Sequence, residues 1–223
     1  MTLPDDTPSR LVIAAERLFA EHGEEATSLR AITRAAMSNA AAVHYHFGGR
    51  DGLLVAVLDR HLAPLAARRR HLLDALRDRP GGPVPVADVL AAALRPDLEL
   101  LAKLRKHRVE VARLVGRSLA RQDGVADHPD SFVRDCTPYL QASLPDADQR
   151  EIGRRLWLVR GTVALLFASA GDATQPGPLG SNDVDTQVQR LAAFCAGGVT
   201  APWPPLPAQR GPGRSGRKDK KRR

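Results

Sequence analysis

Aromatic residues make up only 4% of the chain, although 43% of it is hydrophobic. Strands want aromatic and β-branched residues on their pleated faces, whereas Ala and Leu, which run throughout this sequence, head the helix scale. Cysteine is scarcer still, with Cys136 and Cys195 the only two. Two cysteines among apolar neighbours build no disulfide framework and read as small buried hydrophobes. Long apolar runs are missing as well. The longest nearly uncharged stretch, Leu156 to Gly171, contains Arg160 and falls short of the ~20 residues that span a bilayer. The sequence opens without a basic segment followed by an apolar run, so no secretory signal is read there. The expectation is a cytoplasmic protein with no membrane attachment. Motifs of catalysis are absent too: there is no Gly-rich phosphate loop, HExxH, CxxC or G-x-S-x-G. His44 and His46, two apart on a helix, point to different faces and make poor joint metal ligands. These absences point away from an enzyme and imply no metal and no cofactor.

What is present is positive charge in two places. The formal net charge is +8 over 223 residues. The segment Arg210 to Arg223 holds eight basic residues against Asp219, so +7 of the +8 sits there. Residues 28–50 hold Arg30, Arg34 and Arg50 and no acid. A polyanion could be met at either end.

Helical periodicity organises the rest. Thr7 is positioned to cap a first helix with Pro8 at its first position, and Leu11, Ala14, Ala15 and Leu18 repeat on one face until Gly23. Ser28 is positioned to cap a short second helix, Leu29 to Ala35, and Asn39 a third, Ala40 to Tyr45, before Gly48-Gly49. A fourth begins near Arg50 and should kink at Pro64, which removes a backbone donor. After the break at 79–85, helical pattern runs from Val86 to about Gln122, with an interruption or kink expected at Pro96. Further helices are expected up to Ser143, from Pro145-Asp146 to Gly171, and from Val184 to Gly197. Beyond Pro202 the Pro/Gly/Lys/Arg composition cannot order itself by burial. The fold class read from this is all-α, without a convincing strand.

Two short helices joined by a tight turn, behind a longer first helix, form the compact unit that places one helix in the major groove of DNA. Here the extended run TSLRAITRAAMSNAAAVHYHFGGRDGLL, Thr27 to Leu54, resembles the DNA-binding segment of the TetR family of helix-turn-helix transcriptional regulators. Its most specific parts are His44-Tyr45-His46-Phe47-Gly48 and Arg50-Asp51-Gly52-Leu53-Leu54, with Leu18-Phe19-Ala20-Glu21-His22-Gly23 upstream. The resemblance covers residues 7–58.

The resemblance implies roles residue by residue. Thr27, Ser28 and Arg30, at the start of the second helix, would meet phosphate. Asn39, Ala40, Ala41 and His44 would face base edges, the alanines offering only methyl contacts. Tyr45, His46 and Arg50 would touch the backbone, and Phe47 would belong to the core. Met37 stands where the family usually has Gly in the turn, and Ser38 where it has an apolar residue. A left-handed Met37 would cost on the order of 1 kcal/mol.

The resemblance also implies an N-terminal helix-turn-helix domain, residues 1–50, and a helical effector-binding and dimerisation domain, residues 51–200. A disordered basic tail, residues 201–223, would follow. Leu156 to Ala168 is apolar nearly all round and wants burial on both sides, which suggests a partner subunit. Gly153 and Gly161 would permit close helix approach. The last helix offers a stripe of Val184, Val188, Leu191, Ala192 and Cys195 for a four-helix homodimer interface. Polar candidates for a small-molecule effector site are His61, His107, Arg108 and Arg160. Together these imply a homodimeric repressor on a palindromic double-stranded DNA operator, released by an effector the sequence does not name.

Overall fold

A computed structural model describes residues 6–120, 131–171 and 183–202, apart from the side chain of His107. The described residues are helical, without strands, in the order α1 (Thr7–His22), α2 (Leu29–Ala35), α3 (Ala40–Phe47), α4 (Arg50–Arg77), α5 (Val86–His107), α6 (Val109–Ala120), α7 (Ser131–Ser143), α8 (Gln149–Ala168) and α9 (Val184–Thr200). The fold is all-α, as the sequence implied. The region beyond residue 202, and the sequence break at His128-Pro129, lie outside the described residues.

Helix ends follow side-chain chemistry. Ser28 and Asn39 cap α2 and α3 by accepting from Ala31 N and Ala42 N, at 3.1 and 2.9 Å. The cap of α1 is Asp6, one residue earlier than expected, because its carboxylate accepts from Ser9 N at 2.9 Å. A carboxylate there also suits the positive end of the helix dipole. Helix α3 runs two residues past Tyr45, ending where Gly48 takes a left-handed backbone with φ 72°.

Prolines stand inside α4, α5 and α7, among them the two expected to bend or break their helices. Pro64 lies within α4, a single element of 28 residues. Pro96 likewise lies within α5. The interruption between Val86 and Ala120 comes instead at Arg108, whose φ −145° and ψ 52° leave helical values. At that break the Arg108 side chain turns onto Glu16 of α1.

Helix α1 packs on α2, α3, α4 and α6, while α5 lies between α4, α7 and α9, and α6 lies along α8. The last contact is close because residue 116 is glycine: a Cβ there would sit 2.5 Å from Ala168 N and 2.8 Å from Ala164 O. One contiguous apolar core joins all these elements, from Leu11 and Phe19 through Leu53, Leu90, Leu94 and Leu98 to Phe167 and Val199. Each such fully buried side chain contributes about 1.5–3 kcal/mol relative to exposure. The core thus extends unbroken from the three-helix unit into the helices behind it.

Inside that core sits a charged cluster the sequence reading did not foresee. Arg69 of α4 donates to Asp97 Oδ2 at 3.0 Å, and Arg160 of α8 donates to Oδ1 at 2.7 Å. Asp97 is 0% exposed. Both guanidiniums lie over the Phe132 ring, 4.9 and 5.3 Å from its centroid. Burial pushes the Asp97 carboxyl up, but the charges of Arg160 and then Arg69 outweigh it and hold the group below its ordinary value. Three helices are thereby tied through one carboxylate.

Candidate nucleic-acid interface

The surface begins with the turn between α2 and α3. After Ala36, Met37 takes φ 50°, the left-handed backbone. Ser38 N donates back to Thr33 O at 2.8 Å and Met37 N to Arg34 O at 3.2 Å. This pair of bonds is the Schellman arrangement that terminates a helix, a position usually given to glycine. Met37 therefore carries the backbone strain that the missing glycine implied, on the order of 1 kcal/mol. Its side chain extends into solvent, so the turn is made without a core contact.

Helix α3 attaches through Val43, which is fully buried, and the half-buried Ala42 and Phe47. Val43 and Phe47, four residues apart, mark the inward side of the helix. Ala40, Ala41, His44, Tyr45 and His46 are all exposed, Tyr45 to 83%. The Tyr45 and His46 rings meet edge to face at 4.9 Å. Asn39 is exposed, and its Oδ1 is engaged in the cap.

Glycine at position 52 has a steric reason. A Cβ on Gly52 would lie 1.7 Å from the Phe47 carbonyl oxygen, so any other residue would drive α4 away from the end of α3. The angle at which α3 stands off the molecule depends on that contact.

Ser28 and Arg30 present their side chains to solvent beside this face. Thr27 does not. It is 3% exposed, and its hydroxyl donates towards Leu18 O and Gly23 O, at 3.2 and 2.6 Å. Its amide is used as well, donating to Glu24 O at 3.2 Å. The Thr27 side chain, expected to meet phosphate, fastens the α1–α2 connection here.

Arg50 is engaged within the chain. Its guanidinium donates to Thr27 O at 2.7 Å and Glu24 O at 2.6 Å. It also lies 5.6 Å from the Phe19 ring centroid. In this structure Arg50 binds carbonyls of its own domain rather than standing free for phosphate. It clamps the start of α4 onto the connection that leads into α2.

Of the residues offered for an effector site, the structure brings His61 and Arg108 together and places Arg160 apart from them. Glu16 of α1 is buried and receives Arg108 Nη1, with Arg60 Nε and His61 Nε2 each 3.5 Å from its oxygens. Burial raises the Glu16 carboxyl, but the His61 side chain and the Arg60 and Arg108 charges outweigh that and lower it. Arg160 is committed to Asp97, in a different part of the core. His61 and Arg108 thus meet on one carboxylate, Arg160 meets another, and the His107 side chain lies outside the described residues.

The last helix departs from expectation in a useful way. Val188, Leu191, Ala192 and Cys195 are buried within the chain, on the side of α9 that packs against α5. The unpartnered face of α9 is the opposite one, where Phe194 is 72% exposed. On α8 the outward residues are Trp157, Leu158, Gly161, Leu165 and Ala168, spaced at three and four. Burial of Cys136 and Cys195 pushes their thiols up, to about 12 and about 11, consistent with unreactive core residues.

Among the described residues no helix is long and apolar enough to cross a membrane, and no group of His, Cys, Asp or Glu could hold a metal ion.

Comparison with known proteins agrees with this anatomy. Residues 11–57 match the tetR family of bacterial regulatory proteins, and residues 91–198 match the tetracyclin repressor-like C-terminal domain. The HTH-type transcriptional repressor AcnR of Corynebacterium glutamicum is 24% identical over 176 residues, covering 72% of this chain and 94% of its own length. Among solved structures, the fatty acid degradation regulator FadR of Bacillus halodurans superposes with a TM-score of 0.60 at 14% identity, over 87% of this chain and 96% of its own. A transcriptional regulator from Rhodococcus sp. Rha1 gives 0.57 at 23% identity, over 85% and 95%. These structural likenesses carry the fold.

Proposed function

The chain belongs to the TetR family of bacterial regulatory proteins, and we propose that within it the protein is a cytoplasmic homodimeric repressor that binds a palindromic operator and releases it when a small molecule binds. The observation that carries the DNA-binding half of this reading is the outward face of α3. It is held rigidly by Val43 and the Gly52 contact, it carries Ala40, Ala41, His44, Tyr45 and His46 into solvent, and no acid lies between residues 28 and 50. Asn39, Ala40, Ala41 and His44 are the proposed base readers. Ser28, Arg30, Tyr45 and His46 are the proposed phosphate contacts, together with the α2 N-terminus. Arg50 contributes by fixing the domain, and by reaching phosphate if it leaves its carbonyl partners on binding.

The dimer is supported by the apolar faces of α8 and α9. Trp157, Leu158, Leu165 and Phe194 are large, exposed and on adjacent helices. Gly161 and Gly198 stand with no atom within 4 Å of where a Cβ would be, so a partner helix meets no obstruction there. The domains we assign are the DNA-binding unit, residues 1–50, the helical body, residues 51–200, and a basic tail, residues 201–223. Repression is the action of the Corynebacterium relative, and it supports the same action for this chain.

Selection from random duplex DNA tests the reading. Enriched sites should be two-fold palindromes with half-sites separated by about one helical turn or a multiple of it. Enrichment of no common site, with equal retention of unrelated duplexes, would overturn it in favour of charge-driven binding.

A further inference from the structure

A cleft of about 400 Å³ opens between the C-terminal half of α4, the turn that precedes α5, and α7. It is well separated in sequence from the α3 surface and from the α8–α9 face, and neither of those uses its residues. Val84, Pro138 and Tyr139 line it, together with Arg70, Arg134 and Asp135. The volume lies near the lower end of the range for small-molecule sites.

Its polar groups are unevenly satisfied. The Tyr139 hydroxyl donates to Asp74 Oδ1 at 2.8 Å, and Arg77 lies 2.9 Å from the same oxygen, so that group is complete. Burial and then the Asp74 hydrogen bond push the Tyr139 hydroxyl up to about 12, so it stays protonated. Arg70 and Arg134 differ. Arg70 Nη1 is 3.7 Å from Asp135 Oδ2 and Arg134 Nε is 3.8 Å from Oδ1, both beyond hydrogen-bond reach. Neither guanidinium makes a hydrogen bond among the described residues. The Asp135 side chain they flank is only 6% exposed, and its Oδ2 has no hydrogen-bond partner.

We propose that this cleft binds a small organic carboxylate. Asp135 draws two guanidiniums to one place without occupying their donors. Each retains a planar fork that matches a carboxylate bidentately. Three arginines against Asp74 and Asp135 leave the lining at +1, so an entering anion is favoured in spite of the two acids. Val84, Pro138 and the Tyr139 ring offer an apolar wall for the body of the ligand. A bare inorganic anion would use only the guanidiniums; a neutral molecule of the same shape would use only the wall. The inference goes beyond the DNA-binding reading and is tested without DNA, so failure of either leaves the other standing.

Titration calorimetry on the full chain, with benzoate, benzamide and inorganic phosphate as probes, decides it. Benzoate should bind about tenfold more tightly than benzamide, the worth of hydrogen bonds to a charged group, and more tightly than phosphate. Arg70→Gln with Arg134→Gln should remove that preference. The buried Asp135 carboxylate loses both flanking charges, so the unliganded unfolding midpoint should fall, and circular dichroism establishes that the double variant is folded before its binding is read. Arg117→Gln, on exposed α6 surface, should leave benzoate binding intact. Ala142→Trp, which fills the cleft but keeps both guanidiniums, should abolish it. The proposal is overturned if benzoate does not bind at millimolar concentration, if benzamide or phosphate binds as well, or if benzoate's preference survives in the double variant.

Discussion

The Arg108 guanidinium, at the break between α5 and α6, donates to the Glu16 carboxylate in the middle of α1. A residue of the helical body is thereby bonded to the helix that supports the DNA-binding unit, 92 positions away in sequence. Arg60 and His61 of α4 converge on the same carboxylate. Any displacement of α6 relative to α1 must lengthen this bond or carry α1 with it.

Glu16→Gln should therefore lower the unfolding free energy, by about 1–2 kcal/mol at neutral pH. That is the value of hydrogen bonds to a charged group, discounted because Arg60 and Arg108 are about half exposed. The pH dependence has a definite sign. The folded-state value of Glu16 lies below its ordinary 4.5, so its contribution is complete above that value and is lost as pH falls through the lower folded one. Urea unfolding of wild type and Glu16→Gln across that acid range should show the two curves converging. Curves that stay parallel would mean that Glu16 stabilises by shape rather than charge.

Asp97→Asn should be more damaging, by about 3–5 kcal/mol, because it leaves the Arg69 and Arg160 charges buried without their shared counter-charge. Replacing the three together by Met, Leu and Met should recover much of that loss, since desolvating an ion cluster offsets most of its internal attraction. Denaturant midpoints of the single and triple variants measure both claims. A single variant within about 0.5 kcal/mol of wild type would show that the cluster contributes little.

Much of this anatomy is written locally in the chain. Ser28 and Asn39 cap α2 and α3 as their side chains dictate, and the absence of glycine at Met37 announces a strained turn. Arg69 was legible too, in principle: it falls on the Leu65–Leu73 stripe, where a charge must be paired. Its partner was not, because periodicity identifies a buried face but not which helix covers it. The same gap explains the α9 reversal. A stripe of Val188, Leu191 and Cys195 shows that one side is buried, and only tertiary structure shows that α5, rather than a second subunit, does the burying. The intramolecular bonds of Thr27 and Arg50 were illegible for a related reason: polar groups near a surface are as readily engaged by backbone carbonyls as left for a ligand.

Arg50→Ala should weaken binding to every duplex by a similar factor and also lower the unfolding midpoint, since it removes hydrogen bonds to Thr27 O and Glu24 O. His44→Ala should leave the midpoint alone, being exposed, and should alter preference at one or two base pairs by about 1–3 kcal/mol. Parallel selections from random DNA, with thermal melts of each variant, separate the two roles. Identical ranked sites for His44→Ala and wild type would remove His44 from the base readers.

The α8–α9 face makes the most direct prediction about assembly. Leu165 is 67% exposed and Phe194 is 72% exposed. A groove of about 580 Å³ lies between the two helices, lined by Leu158, Thr162, Phe194 and Gly198 among others. Large apolar side chains clustered on one face are a recurrent mark of an interaction surface, and a two-fold dimer would bring each such face against its copy. Leu165→Glu with Phe194→Glu would then place four carboxylates at one interface. The isolated subunit should tolerate them, since both side chains are already in water. Light scattering at micromolar concentration should give a dimer for wild type and a monomer for the double variant, with helicity by circular dichroism unchanged. Operator affinity should fall together with dimerisation, because a monomer meets only one half-site at a time and loses the effective concentration that links two. If the double variant remained a dimer, the contact surface would lie elsewhere. If wild type were itself a monomer with and without operator, the palindromic mode of binding would go with it.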